Sequence, residues 1–419
     1  MQKNDQIHTV KLDKDKCMGC VSCMKRCPTE AIRVRNGKAR IHYERCISCG
    51  ECVRVCPHQA KKVIYDDFSI IEDPRFKYKI ALPAPSLYGQ FENLDNLNYL
   101  IEGLLKIGFD DVYEVARGAE LVSEATRTLF DSGKLKKPVI STACPAVVQL
   151  ILLRFHDLKD NLLPVQAPVD ISAKLAREEA AKKTGLKPEE IGIFFISPCP
   201  AKIHALHSGL GVSKPTVDGV LSASDIYFRL LPAMKQVEEP RDLSQIGIFG
   251  LSWAASGGEA ATLLKNKYLA ADGMENVLNI LKELENGKLN DLEFIELNAC
   301  IGGCVGGVLN IENPFVARAK LQTRRKYLPV TKNSISQTDK NLDYFVWECE
   351  PDVTNVMQLD EDINVAMALL ERINKIEKIL PMLDCGCCGA PSCRAFAEDV
   401  ALGEAKITDC HRINVEDLL

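Results

Sequence analysis

Phe294-Ile295-Glu296-Leu297-Asn298-Ala299-Cys300-Ile301-Gly302-Gly303-Cys304-Val305-Gly306-Gly307 is the stretch around which the rest of the chain can be read. Its apolar start predicts a strand over Phe294–Leu297, and Cys300 and Cys304 follow just past the strand end. Two thiolates at this spacing can grip one metal centre, and the glycines let backbone pass close to a bulky inorganic group. Two further cysteines have similar settings, in Ser141-Thr142-Ala143-Cys144-Pro145 and Ser197-Pro198-Cys199-Pro200-Ala201-Lys202. Each follows a predicted strand, Lys137–Ile140 and Ile191–Ile196. Three loops at three strand ends thus bring four thiols toward one site.

Outward from these loops, strands and helices alternate. Strands are predicted at Lys79–Leu82, ending in Pro83-Ala84-Pro85-Ser86, and at Asp111–Val115 and Gln245–Gly250. Helices are predicted at Asn93–Ile107, Glu120–Asp131 and Glu259–Lys265, the last after Ser256-Gly257-Gly258. Such alternation implies an α/β fold with parallel sheets covered by helices, and ligands in such sheets lie beyond the carboxyl ends of the strands.

The 419 residues suggest a few domains. An apolar content of 46% and a charged content of 26% are those of an ordinary globular protein, and the net charge of −5 gives no reason to expect nucleic acid. The start, Met1-Gln-Lys-Asn-Asp-Gln, has no apolar signal region, and no run of about 18 apolar residues could span a bilayer. The expectation is a cytoplasmic protein without a membrane partner. Its 18 cysteines are clustered, and in a reducing compartment such clusters read as metal sites rather than disulfides.

Residues 1–62 carry one pattern twice: Cys17-x2-Cys20-x2-Cys23-x3-Cys27-Pro28, then Cys46-x2-Cys49-x2-Cys52-x3-Cys56-Pro57. This is the bacterial two-cluster ferredoxin run, in which the fourth cysteine of each run ligates the other cluster. Cys17, Cys20, Cys23 and Cys56 are therefore expected to hold one 4Fe–4S cluster, and Cys46, Cys49, Cys52 and Cys27 the second. The segment has 14 Lys and Arg against 6 Asp and Glu, a balance of +8. Cations near anionic clusters offset their charge and raise their potentials; a docking face for an acidic redox partner is also compatible.

The tail reads Cys385-x2-Cys388-x4-Cys393-x16-Cys410, four thiols in a compact unit and enough for another 4Fe–4S cluster. Because its ligands are local, a substitution there is expected to disturb only its own cluster. Cys349 and Cys387 are left as free structural thiols. Upstream, Asp360–Leu380 reads as an amphipathic helix with Ile363, Met367, Leu370, Ile373 and Ile376 on one stripe, expected to be packed, and Pro381 stops it. The basic residues Lys320, Arg324, Arg325 and Lys326 read as a solvated connector.

The middle of the chain, about residues 78–330, resembles the catalytic domain of FeFe-hydrogenases. The three cysteine stretches quoted above are similar, in order and length, to that family's TSCCP, MPCxxK and ExMACxxGCxxGG signatures. The resemblance implies a two-lobed catalytic domain with parallel sheets over 78–345. A small α+β ferredoxin-like domain (1–77) would precede it, and a small helical 4Fe–4S domain (346–419) would follow. It implies that Cys144, Cys199, Cys300 and Cys304 ligate a cubane, with Cys304 bridging to a diiron unit carrying CO, cyanide and a bridging azadithiolate. Four 4Fe–4S clusters follow in total. Lys202 matches a lysine that donates to cyanide. Pro85 and Ser86 match a stretch that also approaches the cyanides, and Ser197, Pro198 and Asn298 line the same place. Such a group needs hydrogen-bond donors and an ammonium in a dry pocket. Dedicated maturation proteins would have to supply it.

The chain also departs from the family. The family's last proton donor, a cysteine, is Ala143 here, and methionines near the diiron unit become Ser197 and Asn298. Of two relay glutamates and a serine, Glu124 is kept, while Arg127 and Leu163 stand at the other two places. Methyl and isobutyl groups carry no proton, and an arginine does not titrate usefully. The resemblance thus implies a slow, sensory hydrogenase acting on H2 and protons, with electrons relayed through the accessory clusters to a separate redox or signalling protein; a homodimer is compatible. A non-catalytic iron–sulfur assembly protein with the same fold is the alternative. Lys202, Pro85, Ser86 and Cys304 stand against it, because they make sense only beside a diiron unit.

Overall fold

Four short strands carry the cysteine repeat in the computed structural model, which describes residues 8–92, 94–353, 356, 358–360 and 362–413. They are β1 (Val10–Leu12), β2 (Ile32–Arg35), β3 (Lys38–Ile41) and β4 (Lys61–Val63). β1 pairs antiparallel with β4, and β2 with β3. One-turn helices Ser22–Lys25 and Glu51–Arg54 each hold the third cysteine of a run. Val10, Met24, Ile32, Ala39, Ile41 and Ala60 form the apolar core among the cysteines.

The described residues of 10–63, 152–154 and 353–419 form one compact unit, so the tail is not packed on itself alone. Val34 N donates to the Gly389 carbonyl at 2.9 Å, and Ser392 Oγ donates to Glu30 at 3.1 Å. Lys25 Nζ donates to the carbonyls of Asp384 and Pro391, and Arg35 to that of Cys388. Gly389, at φ +79°, lies so close to β2 that a Cβ there would meet the Val34 carbonyl oxygen at 1.8 Å. Asp399 receives Arg33 Nε at 2.7 Å and Arg35 at 2.7 Å, with Asp399 and Arg33 both buried. Nothing local in the tail sequence signals these partners, which lie over 350 residues away.

Tail helices run Ile363–Ile379 and Cys393–Ala401. At 1.5 Å per residue the second is about half the length of the first. It covers only the C-terminal half of the stripe: Ile373 and Leu380 are buried with Phe396 and Ala397. Ile363 and Met367 are 73% and 64% exposed, and Leu370 is exposed too, so the expectation of a packed stripe fails over its first two turns. Glu361, at the start of the predicted helix, lies outside the described residues.

The other unit, from the described residues of 1–9, 64–151 and 155–352, is α/β. Its strands are β5 (Tyr78–Pro83), β6 (Asp111–Val112), β7 (Val139–Ile140), β8 (Ile191–Ser197), β9 (Gly219–Ser222), β10 (Tyr268–Asp272) and β11 (Phe294–Asn298). Two wholly parallel sheets result, ordered β6-β5-β8-β9 and β10-β11-β7. β8 is buried along its whole length, as the apolar run Ile191–Ile196 requires in a sheet covered on both faces.

The predicted strand at Gln245–Gly250 is instead the entry to a helix, Ile248–Ser252. Glu120 draws Gly247 N at 2.6 Å, while Ile248 N and Phe249 N donate to the carbonyls of Pro329 and Val330. A short apolar run does not distinguish strand from buried helix. The predicted helix at Asn93–Ile107 is ordered as Asn98–Lys106, and Asn93 lies outside the described residues. The helix predicted at Glu259–Lys265 ends at Thr262, before Leu264 at φ +56°.

Arg324 is no solvated cation. Its guanidinium enters the fold and donates to the carbonyls of Tyr88, Phe91 (2.6 Å) and Leu94 (2.9 Å), and burial lowers its pKa to about 10. It thereby clamps the far side of the turn that begins at Pro85.

Candidate functional site

The carboxyl ends of both parallel sheets deliver the predicted residues. β5 leads into Pro85–Gly89, β8 into Cys199, β7 into Cys144 and β11 into the Cys300–Cys304 loop. Cys144 and Cys199 are N-cap residues of helices Pro145–Arg154 and Pro200–Ser208, each with proline at the first helical position. A Cys-Pro pair is suited to this, since the missing N–H costs nothing at N1. The partial positive charge of a helix start then lies beside each thiol and favours anionic occupants.

A cavity with some 940 Å³ of empty volume, open solvent included, lies where these loops meet. Pro85, Ala143, Pro198, Lys202, Asn298 and Cys304 line it, with Glu259, Glu296 and Trp253. Lys202 Nζ donates to the Ala143 carbonyl at 3.2 Å and reaches Cys304 Sγ at 3.6 Å. Burial alone would depress the Lys202 pKa, but Cys304, Cys199 and Cys144 more than offset this and hold it above the usual lysine range. Burial pushes the Cys199 thiol to about 11 and raises Cys304, while Lys202 pulls both down. Metal binding at such thiols releases protons.

The Cys304 turn is fixed by backbone. Gly303 sits at φ +86°, where an added Cβ would meet Ser256 N at 2.4 Å, and Asn310 Nδ2 donates to the carbonyls of Cys304 and Val305. Ser197 Oγ bridges its own turn, donating to the Cys199 carbonyl at 3.0 Å. Gln90 donates to the Ser86 carbonyl and accepts from Ile311 N and Glu312 N, joining the Pro85 turn to the segment after Cys304. Ser86 Oγ is buried, with no hydrogen-bond partner among the described residues. An orphaned hydroxyl beside Pro85 fits a bound group that accepts hydrogen bonds.

The expected relay positions are engaged in other contacts. Arg127 donates to the Thr262 carbonyl at 2.7 Å, and Leu163 is buried. Both carboxylate oxygens of Glu124 are taken by the turn at Ser334 and Ile335. Two other carboxylates occupy the cavity wall. Glu296 accepts from Gly257 N and Ala260 N at 2.9 Å and from Asn298 Nδ2 at 2.8 Å. Glu259 is bonded by Ser141 Oγ at 2.5 Å, and Ser141 Oγ in turn accepts from Ala143 N at 3.2 Å. Burial and then the charge of Glu296 raise the Glu259 pKa well above the carboxylate range. Burial raises the Glu296 pKa as well, but its three donors oppose that rise, so of the two Glu259 holds the proton more readily. Glu296 was visible in sequence within the cysteine signature; Glu259 was read only as a helix residue, since 36 intervening positions hide the pair.

In the other unit, Cys27, Cys46, Cys49 and Cys52 line one cavity, drawn from both runs. The charges of Cys17, Cys20 and Cys56 act on Cys23, which places the other four thiols together. Cys385, Cys388, Cys393 and Cys410 line a third cavity, with Cys387 beside them. Among the described residues no three His, Cys, Asp or Glu side chains close around a single-ion position.

A family model for the iron-only hydrogenase large subunit, C-terminal domain, matches residues 77–308. A 4Fe-4S dicluster domain model matches 9–57 and an Fe-S cluster model 380–412. The periplasmic [Fe] hydrogenase large subunit of Nitratidesulfovibrio vulgaris is 24% identical over 401 residues, covering 80% of this chain and 94% of that one. Iron hydrogenase 1 of Clostridium pasteurianum is 22% identical, covering 73% of this chain and 65% of that one. The human nuclear prelamin A recognition factor is also similar, 22% identical over 57% of this chain and 61% of its own length. Among solved structures, an [FeFe]-hydrogenase from Chlamydomonas reinhardtii superposes with a TM-score of 0.52 at 15% identity, covering 68% of this chain and 98% of that one. That likeness is one of fold. No helix among the described residues is long and apolar enough to cross a membrane.

Proposed function

The chain belongs to the iron-only hydrogenase family, and on that premise we propose that it interconverts hydrogen with protons and electrons at low turnover, in a hydrogen-sensing role. The observation that carries this reading is the Lys202 ammonium, 3.2 Å from the Ala143 carbonyl and 3.6 Å from Cys304 Sγ, and acted on by Cys304, Cys199 and Cys144, at the ends of two parallel sheets. A plain electron-transfer protein has no use for a lysine there. Cys144, Cys199, Cys300 and Cys304 would hold a 4Fe–4S cluster, and Cys304 would also join it to a diiron group. When bound, that group would supply the centre at which hydrogen is split or formed.

The chain's own residues account for the rest. Lys202 would offer a donor to the diatomic ligands, Ser86 carries a buried hydroxyl, unpartnered among the described residues, next to Pro85 of the cavity wall, and Asn298 is held by its bond to Glu296. Much of the wall is apolar, including Val115, Ala119, Val165, Phe195 and Leu206, which suits a small apolar gas and keeps water from the centre. Glu259, holding a proton and bonded to Ser141 beside Ala143, gives the cavity a proton carrier where the side chain at 143 offers none. Low turnover follows from Arg127 and Leu163, which leave the family's outer route without carriers. The two ferredoxin-type clusters and the tail cluster would pass electrons onward to a separate partner.

A second reading has support in the relatives. They include the nuclear prelamin A recognition factor and a protein of Brugia malayi named as a probable cytosolic Fe-S cluster assembly factor. Infrared spectroscopy after anaerobic maturation separates the two. Bands of bound CO and cyanide are expected, with about sixteen irons before maturation and two more after it. A matured sample with full cubane iron and no such bands would favour the assembly role.

A further inference from the structure

The two cysteine runs are repeats, offset by 29 residues, and the structure keeps the correspondence beyond the cysteines. Ala31 N donates to Cys27 Sγ at 3.2 Å, and Ala60 N to Cys56 Sγ at 3.2 Å. Glu30 and Gln59 share positive φ, at +52° and +49°, as do Gly19 and Ser48. The next pair breaks the symmetry: it is Ile32 and Lys61, 2% and 3% exposed. Ile32 fills its place with apolar atoms and lines the cavity of Cys27, Cys46, Cys49 and Cys52. Lys61 puts an ammonium into the equivalent buried place of the other repeat.

That ammonium has no hydrogen-bond partner among the described residues. Lys62 next to it, on the outer side of β4, pairs with Asp13. The groups on which the Lys61 charge acts are thiols: Cys23 from one set of four, Cys46 and Cys52 from the other. A buried, unpaired cation is costly unless something anionic is beside it. Here the anion has to be what the thiols hold.

We propose that Lys61 is an internal counter-ion shared by the two ferredoxin-type clusters, and that it raises their reduction potentials. Each electron that enters a cluster adds one negative charge, and an ammonium fixed in a low-dielectric core favours that reduced state. The symmetric alternative, an isoleucine as in the other repeat, would leave both clusters poorer acceptors. The effect is to make the pair a sink for electrons released elsewhere in the chain. This rests on the reading that residues 17–56 hold two 4Fe–4S clusters.

The test uses full-length protein, reconstituted anaerobically, with iron and sulfide measured before potentials. Electron paramagnetic resonance then follows the reduction of wild type, Lys61→Ile, Lys61→Met and Lys61→Arg against applied potential. With iron retained, Lys61→Ile should cut the reduced-to-oxidised ratio at fixed potential about tenfold, 59 mV for a one-electron couple. Lys61→Arg should stay near wild type. Iron lost from both neutral variants and kept in Lys61→Arg would also support a counter-ion. Unchanged potentials in a neutral variant with full iron would overturn the proposal, as would loss of iron from all three. Wild type without cubane iron in this segment would defeat the cluster reading itself, a separate result.

Discussion

Glu259→Gln is the substitution that bears most directly on how protons reach the cavity. The side chain is buried, and its one strong polar contact is Ser141 at 2.5 Å. Glutamine keeps the volume, and its carbonyl oxygen can still accept from Ser141, so the wall should hold its shape. What is lost is a carboxyl whose pKa is raised by burial and by Glu296 and which can give up and regain a proton. Removing a positioned acid or base typically lowers a rate by about 10²–10⁴, or roughly 3–5 kcal/mol of barrier. Because turnover is already expected to be slow, the lower end applies, about a hundredfold. The assay is hydrogen oxidation by matured protein with a dye acceptor, normalised to the infrared intensity of bound CO. Glu259→Asp should recover part of the loss. If Glu259→Gln turned over within about threefold of wild type while Glu124→Gln did not, the proton would leave past Glu124, and the role given to Glu259 would be wrong.

Cys304→Ser should lose the infrared bands of the diiron group while the other clusters keep their iron, because that thiolate alone would join the two halves of the centre; full band intensity would refute the assignment. Ala143→Cys alone should restore little turnover, whereas the triple change with Leu163→Ser and Arg127→Glu should restore more, and a fast single variant would mean another exit. Asp399→Asn would strip Arg33 and Arg35 of their buried partner, at a cost of about 3–5 kcal/mol. Hydrogen exchange should then rise together in β2 and in 384–401; a rise in the tail alone would contradict their docking. Asp170 is buried against Thr216, and burial raises its pKa to about 6. The native carboxyl holds its proton up to that pH while the unfolded chain releases it near 4, so stability falls as pH rises from about 4 to 6, by roughly 3 kcal/mol. Asp170→Asn should gain melting temperature relative to wild type across that window, and parallel curves would refute the shift.

Much of this architecture is written locally. β5, β8 and β11 are apolar runs cut off by Pro or Cys, so both their extent and the loops that follow could be read directly. The interleaved cysteine runs specify their own partners, and the wall shared by Cys27, Cys46, Cys49 and Cys52 follows from them. β9, which is Gly-Val-Leu-Ser, and β10, which is Tyr-Leu-Ala-Ala-Asp, were missed because four or five residues of mixed propensity carry no periodic signal. Long-range charge was the other blind spot. Glu259 with Glu296, Arg324 with three carbonyls and Asp399 with two arginines are pairings between segments that look like ordinary helix surface when read alone. The basic surplus of residues 1–62 was legible as compensation for anionic clusters, but not that one member, Lys61, is inside.

The Arg33–Asp399 contact also sets a clock on biosynthesis. The two residues lie 366 positions apart. At about 5–20 residues per second, a ribosome that has finished β2 needs roughly 20–70 seconds to deliver Asp399. Throughout that interval the face of β2 that the tail will cover stays open, with Arg33 lacking its carboxylate and the Val34 N–H lacking the Gly389 carbonyl. A chain that stops short of the tail keeps that face of β2 uncovered, with Arg33 and Arg35 both without their shared carboxylate.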